Sequence, residues 1–337
     1  MQGSRSLALL KLVALGGVLV LVAWSPSKAA DEDYNGWFVA LDLATTQPNG
    51  FEQSYAAVVD NTNFFTSRLV VDNDTDFTYK IKVGYGMGKG LGRLMVSYWS
   101  FDNEQTSNET INGYYIYPTV FTYGYNNGGS YGMYGPVTAQ IASKIKATTF
   151  DLDYVRPIAA SEKNSLSWLM GLRSATFEED QGFAGTDSNY TPITYIQTKH
   201  IESDAVGVRL GATAHFGFTP HFALEGSLVY SFLQASTDAV GDQTVTQAGT
   251  TVDQNTASDD HVRGETRDID VRAVWTYGNL GYWAGYSAST WDGFVADPIA
   301  GGSCCNVGTG MGRSSRESVG FNSLHGGIVF KFGKGGS

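Results

Sequence analysis

The sequence predicts an all-β chain, an antiparallel transmembrane β-barrel of about ten strands with short periplasmic turns and long extracellular loops. Three observations carry this. From Val206 to Phe218 every second residue is apolar (Val206, Val208, Leu210, Ala212, Ala214, Phe216, Phe218), with Gly207, Arg209, Gly211, Thr213, His215 and Gly217 between them. That is the period of a strand with two unlike faces. The same rhythm recurs along a chain that opens with an export signal. After that signal no uninterrupted apolar run approaches the roughly 20 residues that a helix needs to cross a bilayer, so a place in a membrane requires strands.

The amino-terminal segment carries Arg5 and Lys11, an apolar stretch from Leu12 to Trp24, and Ser27-Lys28-Ala29. Small residues at the two positions read by a signal peptidase predict a signal peptide at 1–29, leaving 30–337 as one barrel domain. Charged residues make up 16% of the chain and aromatics 13%, and 41 Gly stand against 8 Pro, a composition that favours strands and turns. Removing 1–29 takes three bases and no acid from a formal charge of −11, leaving −14. So acidic a surface excludes nucleic acid as a partner class. The two cysteines, Cys304 and Cys305, are adjacent and make neither a disulfide framework nor a cysteine zinc site.

Ten alternating segments are read at 36–45, 77–87, 93–102, 148–158, 166–178, 205–218, 222–233, 268–277, 280–290 and 322–332. The connections alternate in length. Short turns fall at 88–92, 159–165, 219–221 and 278–279, and long polar loops at 47–76, 103–147, 180–204, 236–267 and 292–321. An even number of strands returns both termini to the periplasmic side, and short inner turns with long outer loops are how such barrels are strung. Trp37, Tyr85, Trp168, Phe218, Phe222, Tyr277, Tyr282 and Phe332 lie near the short turns and predict an aromatic belt there, with Tyr79, Tyr98, Phe232 and Tyr286 as its counterpart toward the loops.

On the opposite parity stand the acids Asp42, Asp151, Asp153, Glu225, Asp268 and Asp270 and the bases Lys80, Lys82, Arg93, Arg173, Arg209, Arg272 and Lys331, together with His215 and His325. Such groups cannot be left dry and unpaired, so they predict either a wet conduit or a self-neutralised plug. Strand number does not choose between the two, because eight strands are nearly filled by their own side chains and sixteen leave a channel.

Other motifs carry little chemistry. Asp259-Asp260-His261 is similar in residue type to the acids and histidine of ten-stranded outer-membrane proteases, but three consecutive residues in a polar loop read as solvated. No catalytic residue is expected. Asp72 to Asp76 alternates acids like the first half of a calcium loop, yet Phe77 and Val83 stand where Gly and Glu are required, so no metal ligand is expected. Gly84 to Gly92 with Lys89 reads as a tight turn, and no cofactor is implied.

The chain resembles the Legionella major outer membrane protein-like pore-forming family in Gly36 to Asp42, Val83-Gly84-Tyr85-Gly86, Ser97 to Asp102, Gly171 to Ala175 and the closing Gly326 to Phe330. It departs from many bacterial barrels by continuing through Gly333 to Ser337 after Phe332. The resemblance implies a pore in the bacterial outer membrane that passes small hydrophilic solutes or ions, surrounded by outer-membrane lipid and delivered by periplasmic chaperones and the barrel-assembly machinery. It is compatible with a homo-oligomer. The alternatives are a structural or adhesive barrel with a plugged lumen and partner-binding loops, and a hydrolase active at the rim.

Overall fold

Alternation of period two becomes strand along almost the whole chain. The computed structural model describes residues 34–49, 53–59, 66–71, 74–88, 90–113, 115–118, 133–161, 163–187, 192–295 and 317–334. The expected signal peptide, Asp72, Asn73, Lys89, Cys304, Cys305 and most of the Tyr/Gly-rich tract that runs from Tyr114 to Tyr134 lie outside these residues. The strands are β1 (Asn35–Asn49), β2 (Gln53–Val59), β3 (Thr66–Val71), β4 (Asp76–Met87), β5 (Arg93–Ile111), β6 (Tyr115–Pro118), β7 (Val137–Ala160), β8 (Asn164–Asp187), β9 (Ile193–Thr219), β10 (Phe222–Gln247), β11 (Thr250–Tyr277), β12 (Leu280–Val295) and β13 (Glu317–Lys334).

Ten of these close into an antiparallel barrel in the order β1-β13-β12-β11-β10-β9-β8-β7-β5-β4, and β3-β2-β6 form a separate three-stranded sheet. The seam between the first and last strands runs from Asn35 opposite Lys334 to Asn49 opposite Gly320, which leaves no open edge along the band. Each of the ten expected segments is a barrel strand. At the β4–β5 turn Gly88, Gly90 and Gly92 have φ of 64°, 68° and 87°, values that disfavour any side chain.

The long loops are the main correction. β7 to β11 continue well past the expected ends, and 180–204 and 236–267 are largely strand. The β10–β11 connection is only Ala248-Gly249, both with positive φ, a two-residue hairpin turn. The reason is chemical: above the apolar band the inward face keeps its alternation (Ile201, Ser203 and Ala205 on β9; Ala235, Thr237 and Ala239 on β10, all buried), while the outward face becomes polar. A polar outward face resembles a loop in sequence, although the period persists. Asp259 and His261 are therefore exposed on strand β11.

Among the described residues β11 pairs with β12 only from Glu265 onward, and β5 with β4 only as far as Ser100. The upper parts of β5 and β7–β11 therefore rise as a curved wall. Tyr55 and Ala56 of β2 and Ile116 of β6 bury against Val137, Ala139, Phe183, Tyr195 and Val245 of that wall, so the small sheet covers its concave side.

The outward face carries Trp37, Leu41, Ile81, Met170, Leu172, Leu210, Leu228, Val271, Ile328 and Phe332, all exposed large apolar side chains. An arginine facing lipid at midplane costs about 2 to 4 kcal/mol and one near or beyond the interface about 0 to 1. Leu210→Arg should therefore lower the yield of folded protein in lipid vesicles sharply. Thr198→Arg, outward on the same strand but about 40 Å farther along it, should leave that yield near wild type.

Candidate functional site

The inward residues of the ten strands stack in layers. The deepest charged layer is built from β7, β8, β9 and β11. Arg173 donates from Nε and Nη2 to the two oxygens of Asp151 at 2.7 and 3.0 Å, and from Nη1 to Thr266 Oγ1 at 2.7 Å. The same Nη1 lies 2.7 Å from Asp268, three strands away around the ring. Arg209 Nη1 lies 2.6 Å from Asp151 and 2.8 Å from Asp153, and its Nη2 is 3.6 Å from Asp268. Two guanidiniums thus hold three carboxylates, the planar fork geometry for which Arg suits better than Lys.

Register explains how the arginines reach inward. Arg173 stands opposite Gly207, Arg209 opposite Gly171, and Arg272 opposite Gly285. A Cβ at Gly171 would meet Asp153 Oδ1 and one at Gly207 the Phe232 carbonyl oxygen, so neither position has room for a side chain, and a Cβ at Gly285 would lie 2.6 Å from Arg272 Cβ.

A second chain of charges lies nearer the short turns. Arg272 donates to Glu225 at 2.6 and 2.9 Å, and His215 Nδ1 is 3.0 Å from the same carboxylate. His325 sits between Asp42 at 3.1 Å and Asp270 at 3.3 Å, and Trp283 Nε1 donates to Asp42 at 3.2 Å. The Arg272 guanidinium lies 5.1 Å from the Trp283 ring centroid, a cation–π contact. Solvent reaches both layers in part: the side chains of Asp270 and His215 are 26% and 34% exposed and that of Asp268 is 24%, whereas those of Asp151, Arg173 and His325 are at most 3%.

Of the expected lumen residues, Asp151, Asp153, Arg173, Arg209 and Asp268 meet in the first cluster, and Asp42, Glu225, Asp270 and Arg272 in the second. Lys80 and Lys82 stand on β4 opposite Asp42 and Ala40, close enough for their charges to act on the clusters, Lys80 on Asp151, Asp153 and Asp268 and Lys82 on Asp42 and Asp270. Arg93 opens β5 opposite Gly86, and Lys331 lies 5.6 Å from the Tyr34 ring centroid beside the short turns. The belt residues pair edge to face, Trp37 with Tyr85 at 5.3 Å and Trp168 with Tyr154 at 5.4 Å. Phe222 is tilted against Phe218 at 5.7 Å. Tyr277 stacks on His221 at 5.0 Å and Phe332 meets Phe330 at 4.4 Å, while Tyr282 is exposed opposite Trp275 and Ile328.

What sequence reading missed is the layer above the charges. Phe101, Phe177, Trp291, Phe294 and Phe321 are at most 1% exposed, and Trp99 packs against them. Trp99 and Trp291 stand four strands apart in a ring of ten, yet their ring centroids are 6.1 Å apart. Phe321 closes on Trp99 at 5.4 Å, on Phe101 at 5.2 Å and on Trp291 at 5.6 Å. Parity was the available signal. Trp99 and Phe101 alternate with lipid-facing Tyr98, Phe177 shares the parity of Arg173, and Phe321 that of His325. The layers are tied together, because Trp291 Nε1 donates to Ser289 Oγ, which donates to Asp268.

Asp259 and His261 lie 3.6 Å apart, both widely exposed on the outer face of β11. Asp76 accepts a hydrogen bond from the Phe77 amide, and among the described residues no group of three or more His, Cys, Asp or Glu is arranged to hold a metal.

No family model matches the chain, and no curated protein matches it. Among solved structures it is similar to the outer membrane protease OmpT from Escherichia coli, at 10% identity over 88% of this chain and 97% of that one, with a TM-score of 0.45. It is also similar to a major outer membrane protein from Thermus thermophilus (14% identity, 88% of this chain and 99% of that one, TM-score 0.33). A third likeness is to the toluene transporter TodX from Pseudomonas putida (7% identity, 91% and 92%, TM-score 0.30). The pairing of the chain's own strands, rather than these remote likenesses, defines the fold as an all-β closed antiparallel barrel of ten strands.

Removing one partner from a buried ion cluster strands the others, at a cost of about 3 to 5 kcal/mol. Asp151→Asn, which leaves Arg173 and Arg209 short of a carboxylate, should lower the stability measured by urea unfolding in vesicles by that amount. Lys144→Gln breaks only the 3.8 Å pair with exposed Glu104 and should change it by less than about 1 kcal/mol.

Proposed function

We propose that the protein is an outer-membrane β-barrel whose lumen is closed and whose tall outer wall is presented at the cell surface to a binding partner. One observation carries the closed lumen: Trp99 and Trp291, near-opposite in the ring, meet over a charge layer that is itself cross-linked from β8 to β11. A permanent aqueous path needs polar walls through its whole length, and this interior is dry at the aromatic layer. The membrane placement is supported by the apolar outer band with aromatics at its lower end, faced by charge within. Lipid surrounds the band, and chaperones with the barrel-assembly machinery bring the chain there.

The wall supports a binding role through its electrostatics. Glu178, Glu202, Asp238 and Asp259 stand directly opposite one another in successive strands β8 to β11, outward and in register. Lys146 lies 3.6 Å from Glu178 at one end of the row and His261 3.6 Å from Asp259 at the other, and the like charges between them, in direct cross-strand opposition, destabilise a sheet and are relieved by a basic partner. A pore is the second reading, favoured by the solvent-reached charges around Asp270 and His215. In that reading the aromatic layer is the gate that must part.

The two readings separate in a planar bilayer. The wild-type protein should give no steady conductance, and Trp99→Ala with Trp291→Ala, which empties the centre of the aromatic layer, should give frequent openings. Steady wild-type conductance would establish the pore instead. Orientation has its own check: in a background with Cys304 and Cys305 replaced by Ser, Asp242→Cys should react with an impermeant thiol reagent on intact cells and Asn279→Cys should not.

A further inference from the structure

Among the described residues the outer wall carries a polar cleft, and its origin is a break in strand pairing. β12 follows β13 in register as far as Asp292 opposite Ser318 and then slips, resuming at Val295 opposite Glu317. Gly293 takes φ of 84° there, and a Cβ on it would lie 2.6 Å from the Arg263 carbonyl oxygen. The slip turns Phe294 into the lumen, where it packs on Trp291 at 5.0 Å and its carbonyl accepts from Ser203 at 2.7 Å. Outside, the departure of β12 leaves a cleft of about 340 Å³ lined by Arg263, Glu265, Arg267, Asp292, Gly293 and Ser318.

The cleft is held in shape by its own charges. Arg267 Nη2 lies 3.2 Å from Asp292 and 3.5 Å from Glu265, and its guanidinium stands 5.8 Å from the Tyr230 ring centroid. The Tyr230 hydroxyl donates to Glu265, and the Ser318 hydroxyl to Asp292. Both carboxylates therefore already have donors. Arg263 is exposed at the upper lip, the one arginine of the cleft without an ion pair among the described residues.

Height fixes what the cleft meets. Arg267 stands opposite Tyr230, and the next outward residues below, Ile269 and Leu228, belong to the apolar band. Arg263 is four residues farther up, about 13 Å along the strand and about 10 Å in height at the usual tilt. A headgroup layer is about 5 to 8 Å deep, so the two arginines bracket it.

We infer that this cleft binds the phosphate of an outer-leaflet lipid headgroup, between the guanidiniums of Arg263 and Arg267. A guanidinium offers a phosphate two parallel donors, and the site lies beside hydrocarbon, where such bonds are poorly screened. The carboxylates of Asp292 and Glu265 keep Arg267 oriented and accept from hydroxyls of a sugar that carries the phosphate. The inference rests on the outer-membrane reading.

The test uses the full mature protein folded in detergent, with phosphorylated lipid A, dephosphorylated lipid A and inorganic phosphate as probes. Native mass spectrometry counts retained lipid, and a thermal midpoint is recorded for each probe. Wild type should retain phosphorylated lipid at least about tenfold better than the dephosphorylated form, the worth of a single charge-assisted bond. Arg263→Gln, at an exposed position with no partner to strand, should fold normally and lose that preference. Equal retention of the two lipids by wild type, or an undiminished preference in Arg263→Gln, would overturn the inference. A rise in midpoint with inorganic phosphate alone would overturn the lipid source in favour of free phosphate. Insertion into vesicles is measured alongside: protein that inserts but does not discriminate sinks only the cleft, whereas protein that does not insert sinks the membrane reading with it.

Discussion

A wall one strand thick, apolar on its outside, sends every second side chain into a lumen only ten strands around. Everything else in the structure answers that constraint. Because the interior must be filled, and because an unpaired charge there is expensive, Arg173, Arg209 and Arg272 are each matched by a glycine across the strand and by carboxylates on neighbouring strands or strands farther round the ring. The charges occupy the lower and middle lumen, where solvent reaches Asp268, Asp270 and His215. Above them six aromatic residues remove the remaining space without asking for hydrogen bonds, and Trp291 joins the two layers through Ser289.

The ten strands, their order along the chain, their antiparallel sense and the identity of both faces were legible in the residues, since a period of two is a local property. Arg173 and Asp268 could be placed on the inward face from parity alone. That they meet each other could not, because their contact depends on ring size and stagger. The upper wall escaped for a different reason: from Ser236 to Arg267 the outward residues face water rather than lipid, and polar alternation resembles a loop when only hydrophobicity is weighed. The aromatic layer was within reach. Trp99 beside Tyr98 was enough to show that the inside carries aromatics too, but the belts account only for the interface residues and leave the inward aromatics without a role.

Closure and wall together shift the functional balance. Nine of the charges that suggested a conduit, in the two clusters, are paired in a way that suits a plug, and the segments read as partner-binding loops at 180–204 and 236–267 are largely a continuous sheet with fixed register. A partner binding there would meet a curved, ordered, acidic face rather than adaptable segments, so selectivity would rest on charge pattern and strand spacing. The bulge at Gly293 serves both sides of the wall at once, directing Phe294 inward while opening the cleft at Arg263 and Arg267.

The aromatic layer also bears on how the molecule is made. Its members come from β5, β8, β12 and β13, and the contacts of Trp99 and Phe101 with Phe321 join residues far apart along the chain. Such contacts are the slowest to form, since the loop entropy of most of the chain must be overcome first. They cannot exist until β1 and β13 zip along the seam. Ring closure and filling of the interior are thus a single late event, and before it the chain is a curved sheet with two unpaired edges and an uncovered aromatic strip. That intermediate is the species most prone to pair with the wrong neighbour, and its exposure ends when the last strand meets the first.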